Sequence, residues 1–311
     1  MTLPNTCIVI CGPTAVGKTS WSLRLAMNYG TEIISADSRQ CYRELNIGVA
    51  KPSSEDLQLV KHYFINSHSI QQDVNVSLFE NYALEASEQI FSTHPMAIMV
   101  GGTGLYIKAF CEGLDALPEV DIQIREKVRN AYMNLGMDWL RETLKKEDPL
   151  FFDEGEMMNP QRMMRALEVK WTSGKSILEF HSGLPKSRPF HTIKIGFELP
   201  MEHLYQNISN RVDSMIAGGL VEEVESLQKY RELNALQTVG YKEIFKYLDG
   251  AISLDQAIGE IKKNTRQYAR RQLTWFRKDP SINWFNPNVE MDKILHVIED
   301  RMGTTGKEQQ Y

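Results

Sequence analysis

The chain has 311 residues, 42% hydrophobic and 24% charged, with a formal net charge of −5. This composition is ordinary for a globular protein and argues against a generally basic nucleic-acid binder, although a local basic face stays compatible with it. No apolar run reaches about 18 residues and the first residues carry no basic segment followed by a long apolar core, so neither a membrane span nor a secretory leader is expected.

Cys7-Ile8-Val9-Ile10-Cys11 is an apolar, β-branched run that reads as a buried strand. It leads into Gly12, Pro13, Thr14, Ala15, Val16, Gly17, Lys18 and Thr19, which fill every fixed position of G-x-x-x-x-G-K-S/T. Trp21, Leu25 and Ala26 then fall at helical spacing between Ser20 and Tyr29. The motif thus sits in the strand–loop–helix setting that a phosphate loop requires. Its glycines let successive N–H groups turn into one concavity, and the helix adds its positive end there. Lys18 supplies a compact charge for a diphosphate and Thr19 a hydroxyl for Mg²⁺. Cys7, Cys11, Cys41 and Cys111 lack metal-binding spacing and read as free, buried thiols of a reducing cytoplasm.

Residues 31–35 read as a second strand, ending in Ala36-Asp37-Ser38-Arg39-Gln40. Ligands in open α/β sheets sit beyond the carboxyl ends of strands, so Asp37 falls near the phosphate loop if the two strands are neighbours. It reads also as a helix N-cap or as an outer-sphere partner of Mg²⁺. Residues 48–54 are turn-rich, 61–65 suit a short strand, and 78–91 an amphipathic helix. Residues 96–100 read as another strand, followed at once by Gly101-Gly102-Thr103-Gly104. That second glycine turn suits either a backbone approach to ligand or a plain tight turn.

From about Glu112 to Pro189 helical signals replace strand signals. Residues 122–135 and 137–145 read as helices. Asn159-Pro160 starts another that runs through Trp171 and stops at Gly174. We read an all-helical subdomain, 113–189, inserted in an α/β core of 1–112 and 190–300, with a disordered polar tail at 303–311. Strand character returns at 193–199. A helix over 201–217 carries Arg211, another spans 220–230, and the Gln237–Tyr241 turn precedes a third that ends near Gly250. Residues 261–278 hold seven basic side chains and no acid. Ile261, Thr265, Tyr268, Gln272 and Trp275 share one helical face, and Lys262, Arg266 and Arg270 another. A one-signed stripe of that kind is the footprint of phosphate binding. The expected fold is a P-loop NTPase-like parallel sheet flanked by helices.

The ordered set GPTAVGKTS (12–20), ISADSRQ (34–40), GVAKP (48–52), GGTGLY (101–106), NPQRMMRALEV (159–169), QTVGY (237–241) and RQYARRQLTWFRK (266–278) resembles the tRNA dimethylallyltransferase, or tRNA isopentenyltransferase, family over nearly the whole chain. The resemblance implies transfer of a dimethylallyl group from dimethylallyl diphosphate to N6 of the adenosine just 3′ of the tRNA anticodon. It implies diphosphate contact by the phosphate loop and Arg211. It implies tRNA contact by Asp37, Ser38, Arg39, Gln40, Thr103, Arg125, Gln161, Arg162, Met163, Met164, Arg165, Gln237, Thr238, Val239, Gly240 and Tyr241. Asn207 departs from relatives that carry a second arginine four residues before Arg211.

The chemistry agrees. Adenine N6 is a weak nucleophile, and Asp37 is the candidate base that takes its proton. Lys18, Arg211, the loop N–H groups and Mg²⁺ on Thr19 are the candidates that stabilise the departing diphosphate. The target base must be turned out of the anticodon stem-loop. A small-molecule or nucleotide kinase using the loop for ATP is the alternative enzyme, and an RNA-binding scaffold with a degenerate site the alternative from another class. No N-K-x-D is present, which speaks against a GTPase. A monomer is the default expectation.

Overall fold

The computed structural model describes residues 5–308. Strands β1 (Thr6–Cys11), β2 (Ile33–Ala36), β3 (His62–Tyr63), β4 (Met96–Gly101), β5 (His191–Phe197) and β6 (Asn283–Phe285) form one sheet in the order β3-β2-β4-β1-β5-β6, every pair parallel. Helices α1 (Lys18–Tyr29), α2 (Ser54–Leu59), α3 (Val76–Phe91) and α4 (Gly104–Glu112) precede a helical stretch of α5 (Ile122–Glu147), α6 (Pro149–Glu154) and α7 (Pro160–Ser173). Helices α8 (Met201–Ala217), α9 (Leu220–Ser226), α10 (Tyr241–Leu248), α11 (Leu254–Phe276) and α12 (Met291–Glu308) follow.

The chain divides into two compact units, Glu112–Lys186 and the remainder. The larger unit holds the sheet. Its central strand β1 is buried along its whole length because helices cover both faces. Cys7, Val9 and Cys11 pack on one side with Phe79 of α3, Phe110 of α4 and Ile244 of α10. Ile8 and Ile10 pack on the other with Trp21 and Leu25 of α1, Ile208 of α8 and Leu273 of α11. The period-2 alternation of a strand therefore sorts one unbroken apolar run into two cores.

Element bounds differ modestly from the sequence reading. β2 starts at Ile33 instead of residue 31, and β5 spans His191–Phe197 instead of 193–199. α11 begins at Leu254, ahead of the basic run, because Ser253 caps it by accepting the Gln256 N–H at 3.2 Å. α12 continues through Glu308, and the remainder of the expected tail, 309–311, lies outside the described residues.

The smaller unit is helical. α5 is two helical stretches that meet at Gly136, whose φ of 74° and ψ of −162° no helix accommodates. Asn159 caps α7, its side-chain oxygen accepting the N–H groups of Gln161 at 3.1 Å and Arg162 at 3.4 Å. Leu140 and Leu144 of α5, Phe151 of α6 and Leu167 of α7 build a separate core. Among the described residues no helix is long and apolar enough to cross a membrane.

Candidate active site

β1, β4 and β2 are adjacent, so their carboxyl ends release three loops side by side. These are the phosphate loop after Cys11, the turn at Gly101–Gly102, and Asp37–Gln40. They line one cleft of about 520 Å³, together with Gly48–Ala50, Arg211, Thr238–Gly240 and the Ile261, Thr265, Tyr268 and Gln272 face of α11. Two glycines make this convergence sterically possible. Gly12 adopts φ 134°, and a Cβ there would stand 2.5 Å from the Phe197 carbonyl oxygen. A Cβ on Gly101 would stand 2.2 Å from the Ala36 carbonyl oxygen.

Both candidate cations are desolvated. Lys18 Nζ donates to the Pro13 carbonyl at 2.7 Å, and Arg211 Nη1 donates to Thr14 Oγ1 at 3.2 Å. Burial, and then the nearby Arg211 charge, lower the Lys18 ammonium to about 8, while Asp37 opposes the shift. Burial likewise lowers Arg211, again opposed by Asp37. Two half-buried cations whose charged forms are disfavoured in the empty site are poised to gain from an entering anion. That gain is pH-dependent. Above pH 8 an empty site holds neutral Lys18, which must take up a proton to pair with a diphosphate. Diphosphate affinity is therefore expected to be level below pH 8 and to fall up to tenfold per unit above it, whereas Lys18→Met abolishes the slope. Calorimetric titration between pH 7 and 10 checks this.

Asp37 is fixed by its own loop. Its Oδ1 accepts the N–H groups of Arg39 at 2.8 Å and Gln40 at 3.2 Å. Among the described residues Oδ2 makes no hydrogen bond. One oxygen orients the carboxylate and the other remains available. Thr103 Oγ1 accepts the Ser38 N–H at 3.1 Å, joining the second glycine turn to the same loop.

The sequence-derived site residues separate into several groups. Thr14 to Thr19, Asp37 to Gln40, Arg211 and Thr238 to Gly240 sit together around the cleft. Ala15 and Val16 contribute through the loop backbone, their side chains being buried. Gln40 has its side chain engaged, Nε2 donating to the Val49 and Ala50 carbonyls at 3.3 and 3.1 Å while Oε1 accepts from Ser35 Oγ at 3.2 Å. Gln237 Nε2 donates to the Arg231 carbonyl at 2.7 Å. Tyr241 is fully buried, so its ring is a structural element and not an exposed contact.

Arg125, Gln161, Arg162 and Arg165 belong to the helical unit, where Arg125, Gln161 and Arg162 are exposed and Arg165 half-buried. Met163 and Met164 correct the expectation of side-chain contact with RNA. Both are buried in that unit's core, because α7 turns them inward while Gln161 and Arg162 face out.

Three basic side chains of the α11 stripe have partners within the fold. Lys262 pairs with Asp213 at 2.6 Å, Arg266 donates to Ser209 Oγ at 2.9 Å, and Arg270 bonds the Tyr205 hydroxyl. Arg266 and Arg270 both lie over the Tyr205 ring. The stripe is the seam between α11 and α8. One-signed spacing on α11 met complementary groups on another helix, which spacing alone does not reveal.

Three contributors carried no decisive sequence signal. Gln272 accepts the Thr14 N–H at 2.8 Å and donates to the Gly102 carbonyl at 2.9 Å, tying the phosphate loop to the second glycine turn. Asn207 Nδ2 donates to the Ala15 carbonyl at 3.2 Å, so it supports the loop from behind in place of a second cation. Glu223 gathers the backbone of 46–48. No cluster of three or more His, Cys, Asp or Glu suited to caging a metal occurs among the described residues. Thr19 and Asp37, however, place a hydroxyl and a carboxylate on the same cleft.

Comparison with known proteins adds to this geometry. A family model described as IPP transferase matches residues 40–279. The chain is 46% identical over 302 residues to the tRNA dimethylallyltransferase of Christiangramia forsetii, covering 97% of this chain and 100% of that one. It is 42% identical over 301 residues to the tRNA dimethylallyltransferase of Flavobacterium johnsoniae, covering 95% and 97%. Among solved structures it is similar to the full-length tRNA isopentenylpyrophosphate transferase of Bacillus halodurans, with TM-score 0.73, 33% identity and coverage of 99% and 100%. It is also similar to a eukaryotic dimethylallyltransferase acting on tRNA, with TM-score 0.71, 27% identity and coverage of 88% and 70%.

Proposed function

The chain belongs to the IPP transferase family, and from this premise we propose that it transfers a dimethylallyl group from dimethylallyl diphosphate to N6 of the adenosine 3′-adjacent to the anticodon in tRNA, giving N6-dimethylallyladenosine. The observation that carries the reading is the cleft that combines the half-buried Lys18 and Arg211 with the Asp37 carboxylate. A kinase would use the same loop, but the relatives at above 40% identity over nearly the full chain are tRNA dimethylallyltransferases.

In this reading N6 attacks the allylic C1, the C1–O bond breaks, and its electron pair leaves on the diphosphate. Lys18, Arg211 and the loop N–H groups bind and stabilise that diphosphate where its charge grows. Asp37 accepts the proton that N6 loses. The adenine reaches the cleft only when turned out of its stack. The Thr19 hydroxyl, with the diphosphate oxygens, would form a donor set that suits Mg²⁺, which keeps several waters and takes few protein ligands. When bound, the ion neutralises diphosphate charge. The free thiols suit a reducing compartment, in keeping with a cytoplasmic enzyme.

Gln161, Arg162 and Arg165 at the start of α7 are assigned to the tRNA. Arg162 and Arg165 stand three residues apart on one face near the helix's positive end. The double variant Arg162→Ala, Arg165→Ala is expected to weaken tRNA binding and leave dimethylallyl diphosphate affinity unchanged. Its log–log salt slope falls by about 0.7 for each phosphate that the variant no longer neutralises, the value for single strands. Titrations at several salt concentrations measure both effects. Normal tRNA binding by the double variant would return the arginines to the unit's own surface.

Incubation with labelled dimethylallyl diphosphate and unmodified tRNA, without ATP, tests the reaction. Label in the tRNA is the expected outcome. Phosphate transfer from ATP to a small acceptor, with no label in tRNA, would put the kinase first.

A further inference from the structure

Two segments of the cleft, Gly48–Ala50 and Thr238–Gly240, are joined by a carboxylate that does not line it. Glu223, on α9, accepts four hydrogen bonds. Its Oε2 takes the N–H groups of Asn46 at 3.1 Å and Ile47 at 2.8 Å. Its Oε1 takes the Gly48 N–H at 3.1 Å and the Tyr241 hydroxyl at 2.5 Å. Tyr241 ends the 237–241 turn, and burial followed by the neighbouring Glu223 charge holds its phenol well above the usual range. Gly48 has no room for a side chain, since a Cβ there would stand 2.5 Å from the Tyr241 ring.

The loop is gripped from its other side as well. Gln40 holds the Val49 and Ala50 carbonyls. Lys51 Nζ donates to the Tyr42 carbonyl at 2.6 Å and to the side chains of Asn46 at 3.2 Å and Asn66 at 2.5 Å. Among these interactions the Glu223–Tyr241 bond is the link to the 237–241 turn. Neither Lys18 nor Arg211 bonds to the network.

We infer that Glu223 is a positioning residue: its carboxylate locks the 46–50 loop to the 237–241 turn, so that the two segments receive the acceptor adenosine in one geometry. The inference rests on the reading of the cleft as a tRNA dimethylallyltransferase site. A carboxylate suits the position because all four partners are donors. In Glu223→Gln the amide NH₂ faces at least one backbone N–H whichever way it turns, since of the four partners only the Tyr241 hydroxyl can reverse to accept. Tyr241→Phe deletes a single donor and keeps the ring.

The test uses the full chain carrying Glu223→Gln, Tyr241→Phe, or both. Amide hydrogen exchange is followed in 46–50 and in 238–241, and transfer kinetics are measured alongside dimethylallyl diphosphate affinity. In each single variant both segments are expected to exchange faster. The kcat/KM for tRNA falls about 10- to 100-fold, the scale on which misplacement acts, and donor affinity stays within about twofold. The double variant is no slower than Glu223→Gln, because both substitutions act on the same link between the two segments. Faster exchange confined to 46–48, wild-type kcat/KM in Glu223→Gln, or additive losses in the double variant would each overturn the inference. A wild-type chain that transfers nothing would instead overturn the functional reading, and the exchange data would still decide the coupling.

Discussion

Turnover of Asp37→Ala falls about 10²–10⁴-fold, the usual contribution of a positioned general base, while dimethylallyl diphosphate still binds. The N6 lone pair is delocalised into the adenine ring, so the nucleophile becomes effective only as its proton leaves. Asp37 sits at the end of β2, beside the phosphate loop across β4. Donor binding survives because Asp37 is an anion near Lys18 and Arg211, and its removal leaves both cations freer to pair with diphosphate. Alanine also deletes the acceptor for the Arg39 and Gln40 N–H groups. Asp37→Asn separates the two roles, since its amide oxygen can keep those bonds but cannot take a proton near neutral pH. The asparagine variant is expected to lose nearly as much turnover as the alanine one. Rapid-quench single turnovers at saturating donor and tRNA measure both. Near-normal turnover in Asp37→Asn would leave Asp37 only its turn-forming role.

Lys18→Ala is the second large effect. Removing one preorganised stabiliser of developing charge costs about 10²–10³-fold in turnover, and donor affinity weakens as well because the ground-state diphosphate carries the same charge. Lys18→Arg is expected to rescue little. The lysine is half-buried and its Nζ lies 2.7 Å from the Pro13 carbonyl, a berth that a planar, longer guanidinium does not fit. Single-turnover rates and calorimetric donor affinity measure the two losses separately. A Lys18→Ala enzyme with normal turnover at saturating donor would confine Lys18 to binding.

What the sequence reveals is what local patterning dictates. The apolar run 7–11, the glycine motif after it and the second glycine turn at 101–104 mark strand ends by composition, and parallel packing brings those ends together. Asn159 and Gly174 bound α7 because cap chemistry is local. Gln272 and Glu223 were not legible as site supports, because each acts on backbone far away in the chain. The partners of Lys262, Arg266 and Arg270 on α11 were hidden for the same reason, Asp213, Ser209 and Tyr205 lying on another helix. Met163 and Met164 show that one motif can join residues that hold the fold to residues that face outward.

The most direct measurement is nucleoside analysis by mass spectrometry of an unmodified tRNA after incubation with the protein, dimethylallyl diphosphate and Mg²⁺, without ATP. Wild-type protein is expected to give N6-dimethylallyladenosine at the position 3′ of the anticodon, and Asp37→Asn almost none. An unmodified tRNA from the wild-type reaction, with the donor bound but not consumed, would contradict the proposed function.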